Sequence, residues 1–238
     1  MSAPNTLRWI GIGLLGLPLY GALTFFSSLD PQPDPNTHYE AFSRFVTTNG
    51  YVLKQLFLTI LGTIFGIFGS IALGAYLTRS RTGHMGLVGM VITVLAYSLF
   101  LTWGGVSTFA TPQEGQAYLA GMEQFHKLPA TLANTLQSAA IAVSVVLGFV
   151  GNVLLGVAVW RSGILPKWAG SLWVSAPVLM YIFDVVYAMT IGAASTPPTV
   201  PAGAVLVVIS GTWIAWSALS RPASAQTAVV AAARPRVR

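Results

Sequence analysis

The chain has 238 residues, 54% of them apolar and 8% charged, with a mean hydropathy of +0.70 and a net charge of +6. A soluble domain carries roughly a quarter charged residues, so this composition excludes a soluble fold and predicts an all-α polytopic membrane protein. There is no cysteine, which excludes a disulfide framework and thiolate ligation of metal.

Apolar stretches of bilayer-crossing length are expected at about 8–28, 51–77, 85–110, 134–159, 171–192 and 202–219. The first follows a single basic residue, Arg8, and shows no small-x-small cleavage site, so a retained helix is expected rather than a cleaved leader. The turn-rich stretch after it leads into Thr37–Glu40 (THYE), which has the spacing of a capping box. A second box, Thr111–Glu114 (TPQE), adds proline at the first helical position. Tyr39, Phe42 and Val46 follow the first box, and Tyr118, Met122 and Phe125 the second. Both segments read as short amphipathic helices lying in the outer interface. Residues 1–220 are expected to form one six-helix domain, and the Ala-rich 221–238, ending RPRVR, a disordered basic tail.

The basic residues are distributed by topology. Arg8, Arg79, Arg81, Arg161, Lys167, Arg221, Arg234, Arg236 and Arg238 fall on one side of the six spans, and only Arg44, Lys54 and Lys127 on the other. This bias puts both termini in the cytoplasm and assigns the charge to orientation rather than to nucleic acid. Trp9, Tyr76, Trp160, Trp168 and Trp216 fall near the inner boundary, as an aromatic belt does.

Sliding the second span 82 residues onto the fourth pairs Gly66 with Gly148, Gly69 with Gly151, Leu73 with Leu155, Gly74 with Gly156 and Ser80 with Ser162. Two more residues in the turn pair Gly86 with Gly170 and Tyr97 with Tyr181. This is the pattern of a parallel tandem repeat. Gly62, Gly66 and Gly69 mark one packing face, and Gly148 and Gly151 another, where small residues let backbones approach closely.

Asp184 is the one acid inside a span. It lies about 13 residues beyond Ser171, roughly 20 Å from the inner end, and no Lys, Arg or His stands at matching depth. Thr63, Ser98, Thr102 and Ser144 lie near its level and are candidate hydrogen-bond partners. A carboxyl at that depth serves either as interhelical glue or as a proton, cation or solute site.

Outside the spans, Glu123 and His126 share a helical face in EQFH, and His38 and Glu40 lie on the same side of the membrane. These four are the candidate metal ligands, although a single E-x-x-H is more often a solvated helix face. No G-x-S-x-G elbow, zincin motif or P-loop is present, and one buried acid does not make an aspartyl pair. A non-enzymatic protein without a cofactor is therefore expected.

The turn WRSGILPKWAG (160–170) followed by YIFDVVYA (181–188) resembles a family of small six-helix bacterial membrane proteins, domain of unknown function 4386. The resemblance implies that Asp184 corresponds to an acid in that family's fifth span and that the membrane is a bacterial inner membrane; it implies no activity. From the residues, the leading expectation is a structural or accessory subunit that meets a membrane-protein partner or a second copy through its glycine faces and outer helices. A small transporter or channel using Asp184 is the alternative.

The cysteine-free sequence makes the topology directly testable. Asn36→Cys is expected to react with an impermeant maleimide in intact cells, and His84→Cys only after the membrane is permeabilised. The reverse pattern would invert the assigned orientation.

Overall fold

The computed structural model describes residues 3–29, 32–122, 132–191 and 197–220. It is all-helical, and six of its helices are long and apolar enough to cross a membrane: Arg8–Ser27, Asn49–Leu77, Gly83–Leu119, Asn134–Arg161, Lys167–Tyr187 and Thr199–Leu219. The elements are α1 (Ala3–Gly13), α2 (Gly16–Ser27), α3 (Tyr39–Val46), α4 (Asn49–Lys54), α5 (Leu61–Leu77), α6 (Gly83–Gly105), α7 (Thr111–Leu119), α8 (Leu132–Arg161), α9 (Lys167–Pro177), α10 (Asp184–Ile191) and α11 (Thr199–Leu219). Wide π-turns join α4 to α5 (Gln55–Ile60), α6 to α7 (Val106–Ala110) and α9 to α10 (Val178–Phe183).

The spans pack in chain order as a ring. α2 packs on α5, α5 on α6, α6 on α8, α8 on α9, α9 on α11, and α11 closes back on α2. One end of the ring carries the basic turns, and there the interior is dense. Leu17, Leu73, Leu77, Leu155, Val159, Trp173 and Ile214 are buried in a single cluster. The outward faces carry exposed apolar side chains such as Phe57, Phe68, Val91 and Leu95, as a lipid-facing surface requires. Trp9, Trp160, Trp168 and Trp216 are 62%, 51%, 73% and 71% exposed near the basic end, whereas Tyr76 is 4% exposed. Tyr76 therefore belongs to the core and not to the belt.

The packing glycines are all buried and all occupied within the chain. A Cβ on Gly69 would meet the Leu17 amide at 2.8 Å, and one on Gly16 the Phe65 carbonyl at 2.6 Å. Gly62 faces Leu23, Gly151 lies against Thr93, Gly66 against the rings of Tyr20 and Tyr97, and Gly148 against the Tyr181 hydroxyl. Contacts recur at the expected shift. Gly74 packs on Met90 and Gly156 on Val174, while Gly66 packs on Tyr97 and Gly148 on Tyr181. Ser80 Oγ donates to Leu77 O, and Ser162 Oγ to Val159 O, both at 2.8 Å.

Three prolines explain most of the irregular geometry. Pro18 has no N–H for Leu14 O, so the Leu17 amide takes that carbonyl at 3.1 Å and the first span breaks at Leu14–Leu15. Pro177 closes α9 immediately before a π-turn. Pro112 corrects the second predicted capping box: the third span runs through it as one 37-residue helix, and Thr111 caps nothing. The Thr111 amide reaches back to Val106 O, and Pro112 offers no amide to Ser107 O. That carbonyl is served from the neighbouring second span, by the Tyr51 hydroxyl at 3.2 Å, which also lies 2.8 Å from Ser107 Oγ.

The first predicted box is corrected as well. α3 forms, but His38 precedes it with no side-chain cap, and Thr37 donates instead to Asp34 Oδ2 at 3.1 Å. The Asn36 amide, 2.9 Å from Asp34 Oδ1, holds the Asp34 carboxyl below its ordinary value. α3 and α7 then pack on each other, with Tyr39 and Tyr118 edge to face at 4.7 Å. The expected disordered tail at 221–238, and Phe125, lie outside the described residues.

Tyr51→Phe should leave Ser107 O without its donor. The expected cost is about 0.6–1.7 kcal/mol, the range for interhelical hydrogen bonds in membranes, read as a lower Tm of the detergent-solubilised protein. An unchanged Tm would show that the wide turn satisfies itself.

Candidate intramembrane site

At the end of the ring opposite the basic turns, the helices do not meet on the axis. They enclose a cavity of about 370 Å³ to which all six spans contribute, within the usual range for small-molecule pockets. Its polar lining includes Asp184, Gln55 and the hydroxyl residues Thr24, Thr59, Thr63 and Ser144. Aromatic walls come from Tyr20, Tyr97, Tyr181, Phe100 and Trp103. Ser27, Ser28, Gln32 and Val200 line its outer part.

Asp184 follows the π-turn Val178–Phe183 as the first residue of α10. At 1.5 Å per residue it stands about 25 Å along the helix from Lys167, past mid-depth. Among the described residues its carboxylate has no hydrogen-bond or ion-pair partner, and the residues lining the cavity include no Lys, Arg or His.

Of the four hydroxyls near its level in the sequence, Thr63 and Ser144 line the same cavity, while Ser98 and Thr102 are exposed on the outside of the third span. All four donate to their own helix: Thr63 to Thr59 O at 2.7 Å, Ser98 to Val94 O at 2.8 Å, Thr102 to Leu99 O at 2.6 Å and Ser144 to Ile141 O at 2.7 Å. A hydroxyl has one proton to give, so none of these is left to donate to the acid.

Gln55 was not singled out from the sequence. It begins a π-turn and is 4% exposed, and its Oε1 is buried with no hydrogen-bond partner among the described residues. A buried acceptor left unmatched costs about 1–3 kcal/mol, and a donor on an occupant of the cavity would offset that cost.

The floor of the cavity is a layer of tyrosines. Tyr20 and Tyr97 lie 5.1 Å apart by ring centroids, and Tyr181 lines the cavity beside them. Asn152 Nδ2 anchors the layer by donating to the Tyr97 hydroxyl at 3.3 Å and to Gly148 O at 2.8 Å. Beneath it lies a space of only about 10 Å³, and then the packed core. The cavity is thus closed on the basic side.

The candidate metal ligands do not assemble among the described residues. No group of three or more His, Asp or Glu is found there. Glu40 is paired with Arg44 at 2.8 Å, and His38 Nδ1 lies 2.8 Å from Thr37 Oγ1. Glu123 and His126 lie outside the described residues. Comparison with known proteins finds no matching family model, no matching curated protein and no matching solved structure.

Because Asp184 holds no partner among the described residues, Asp184→Leu is expected to leave Tm unchanged or to raise it. A clear fall in Tm would mean that the carboxyl is structural glue after all.

Proposed function

We propose that this protein is a small carrier in a bacterial inner membrane, with both termini cytoplasmic, and that Asp184 is its cation-binding residue. The observation that carries the reading is a carboxylate without a partner facing a closed-bottomed cavity inside the ring. An acid at depth is costly on insertion, about 2.5–3.5 kcal/mol on translocon scales, and among the described residues no hydrogen bond offsets that cost.

Closure by the tyrosine layer favours a carrier over an open channel, since solute entering from one side meets a packed floor. Pro177 and the wide turn before Asp184 give the fifth span a place to bend, and wide turns of this kind recur at functional sites. The expectation of an accessory subunit rested on the outer helices and on the glycine faces. Those faces are filled by Leu17, Leu23, Tyr20, Tyr97, Thr93 and Tyr181 of the same chain, which removes the reason for assigning them to a partner.

Proton and cation compete for one carboxylate. Binding should weaken as the pH of the open side falls, Tyr20, Tyr97 and Tyr181 being the other titratable groups that face the cavity. The test uses proteoliposomes loaded with a pH-sensitive dye and challenged in turn with sodium, potassium, ammonium and benzylammonium gradients. Wild type is expected to move at least one of these cations against protons, and Asp184→Asn none. Equal flux from the two proteins, or none from either, would end the carrier reading.

A further inference from the structure

The unmatched groups of the cavity narrow the class of its occupant. Among the described residues Asp184 supplies the only formal charge on the lining, and no basic side chain is there to receive an anion. Gln55 Oε1 adds a second acceptor, nearly fully buried and unserved. An occupant that satisfies both must bring positive charge and hydrogen-bond donors. A fully alkylated ammonium brings the first without the second.

The remaining walls favour a carbon body. Phe100 and Trp103 of the third span stand 5.1 Å apart as a tilted pair, and Tyr20, Tyr97 and Tyr181 present further ring surface across the cavity. Aromatic faces attract cations and pack against apolar groups. An inorganic ion needs several oxygens converging at bond distance, and about 370 Å³ with aromatic walls is space for more than that.

We infer that the cavity takes a small organic ammonium ion carrying at least one N–H and an aromatic or compact apolar body. The ammonium would meet the Asp184 carboxylate, an N–H would serve Gln55 Oε1, and the body would lie against the rings of Phe100, Trp103 and the tyrosines. This inference rests on the reading of Asp184 as the cation-binding residue.

The test measures equilibrium binding to the purified full-length protein in nanodiscs. The panel is benzylammonium, its quaternary analogue benzyltrimethylammonium, neutral benzyl alcohol, anionic benzoate, and sodium or potassium alone. Benzylammonium is expected to bind best, benzoate and benzyl alcohol weakly or not at all. Asp184→Asn should weaken benzylammonium by about thirtyfold or more, the lower end for losing one partner of a buried charge pair. Gln55→Leu should lower the preference for benzylammonium over its quaternary analogue by about fivefold, as for one hydrogen bond, with Asp184 still required.

Size-exclusion profiles matching wild type establish that both variants fold, and Gln55→Glu serves as a second variant that keeps an acceptor. If sodium or potassium binds in an Asp184-dependent way and no amine does, the organic class is overturned while Asp184 stands as a cation site. If the quaternary analogue binds as well as benzylammonium, the role of Gln55 is overturned. If nothing binds through Asp184, both this inference and the reading beneath it fall.

Discussion

A peptide group inside a hydrocarbon layer has no water to turn to, so each backbone N–H and C=O must be matched by the protein itself. Much of the departure from regular helix here is a response to that constraint. Pro18 and Pro112 each remove a donor, and near each the chain rearranges until the stranded carbonyl is served. Leu14 O is taken by the Leu17 amide, and Ser107 O by the Tyr51 hydroxyl from a neighbouring helix. Several hydroxyls follow the same rule: Thr63, Ser98, Thr102, Ser144 and Ser210 all return their protons to their own helices.

The constraint also explains why the ring is solid at one end and hollow at the other. On the basic side the helices are regular apart from the break at Leu14–Leu15, and glycines bring them close: Gly16 meets Gly69, Gly151 meets Thr93, and Gly170 meets Gly156. Toward the opposite end the second, third and fifth spans each contain a wide turn, and those of the second and fifth contribute Gln55, Leu58, Met180 and Tyr181 to the cavity wall. The boundary between the two regimes is the tyrosine layer. It sits where Gly66 makes room for Tyr20 and Tyr97, and Gly148 for Tyr181. The same small residues that seal the lower half thus shape the floor of the cavity above it.

How much of this was legible in the sequence differs by level. Span number and approximate limits follow from apolar length alone, because lipid leaves a helix of about twenty residues few alternatives. The glycine faces and the shifted pairs Gly66–Gly148 and Gly74–Gly156 were legible too, since close packing demands small residues at fixed spacing. The capping boxes misled. TPQE has the right letters, but it falls where an apolar helix is already running, and tertiary context overrides a local start signal. Pro18, Pro112 and Pro177 were the available signal for bends, and each coincides with one. The cavity was not legible, because Gln55 and the three tyrosines lie far apart in the chain and only ring closure brings them together. Ser98 and Thr102 share the depth of Asp184 but face outward, a distinction that depth along a helix does not carry.

An acid in a membrane helix requires compensation, and the forms open to this chain are few. It could pair with a cation, but the residues lining the cavity include none. It could be held by hydroxyls, but Thr63 and Ser144 have their protons committed to carbonyls of their own helices. Gln55 cannot relieve it through its oxygen, since two acceptors do not bond to each other, and that oxygen is itself unserved. Two acceptors in one hollow, neither matched among the described residues, share a single complement: a donor-bearing cation. The aromatic walls set the size and character of what accompanies that charge, and the tyrosine floor sets how far it enters. On this reading the polar groups inside the ring form one acceptor array that remains incomplete until an occupant arrives.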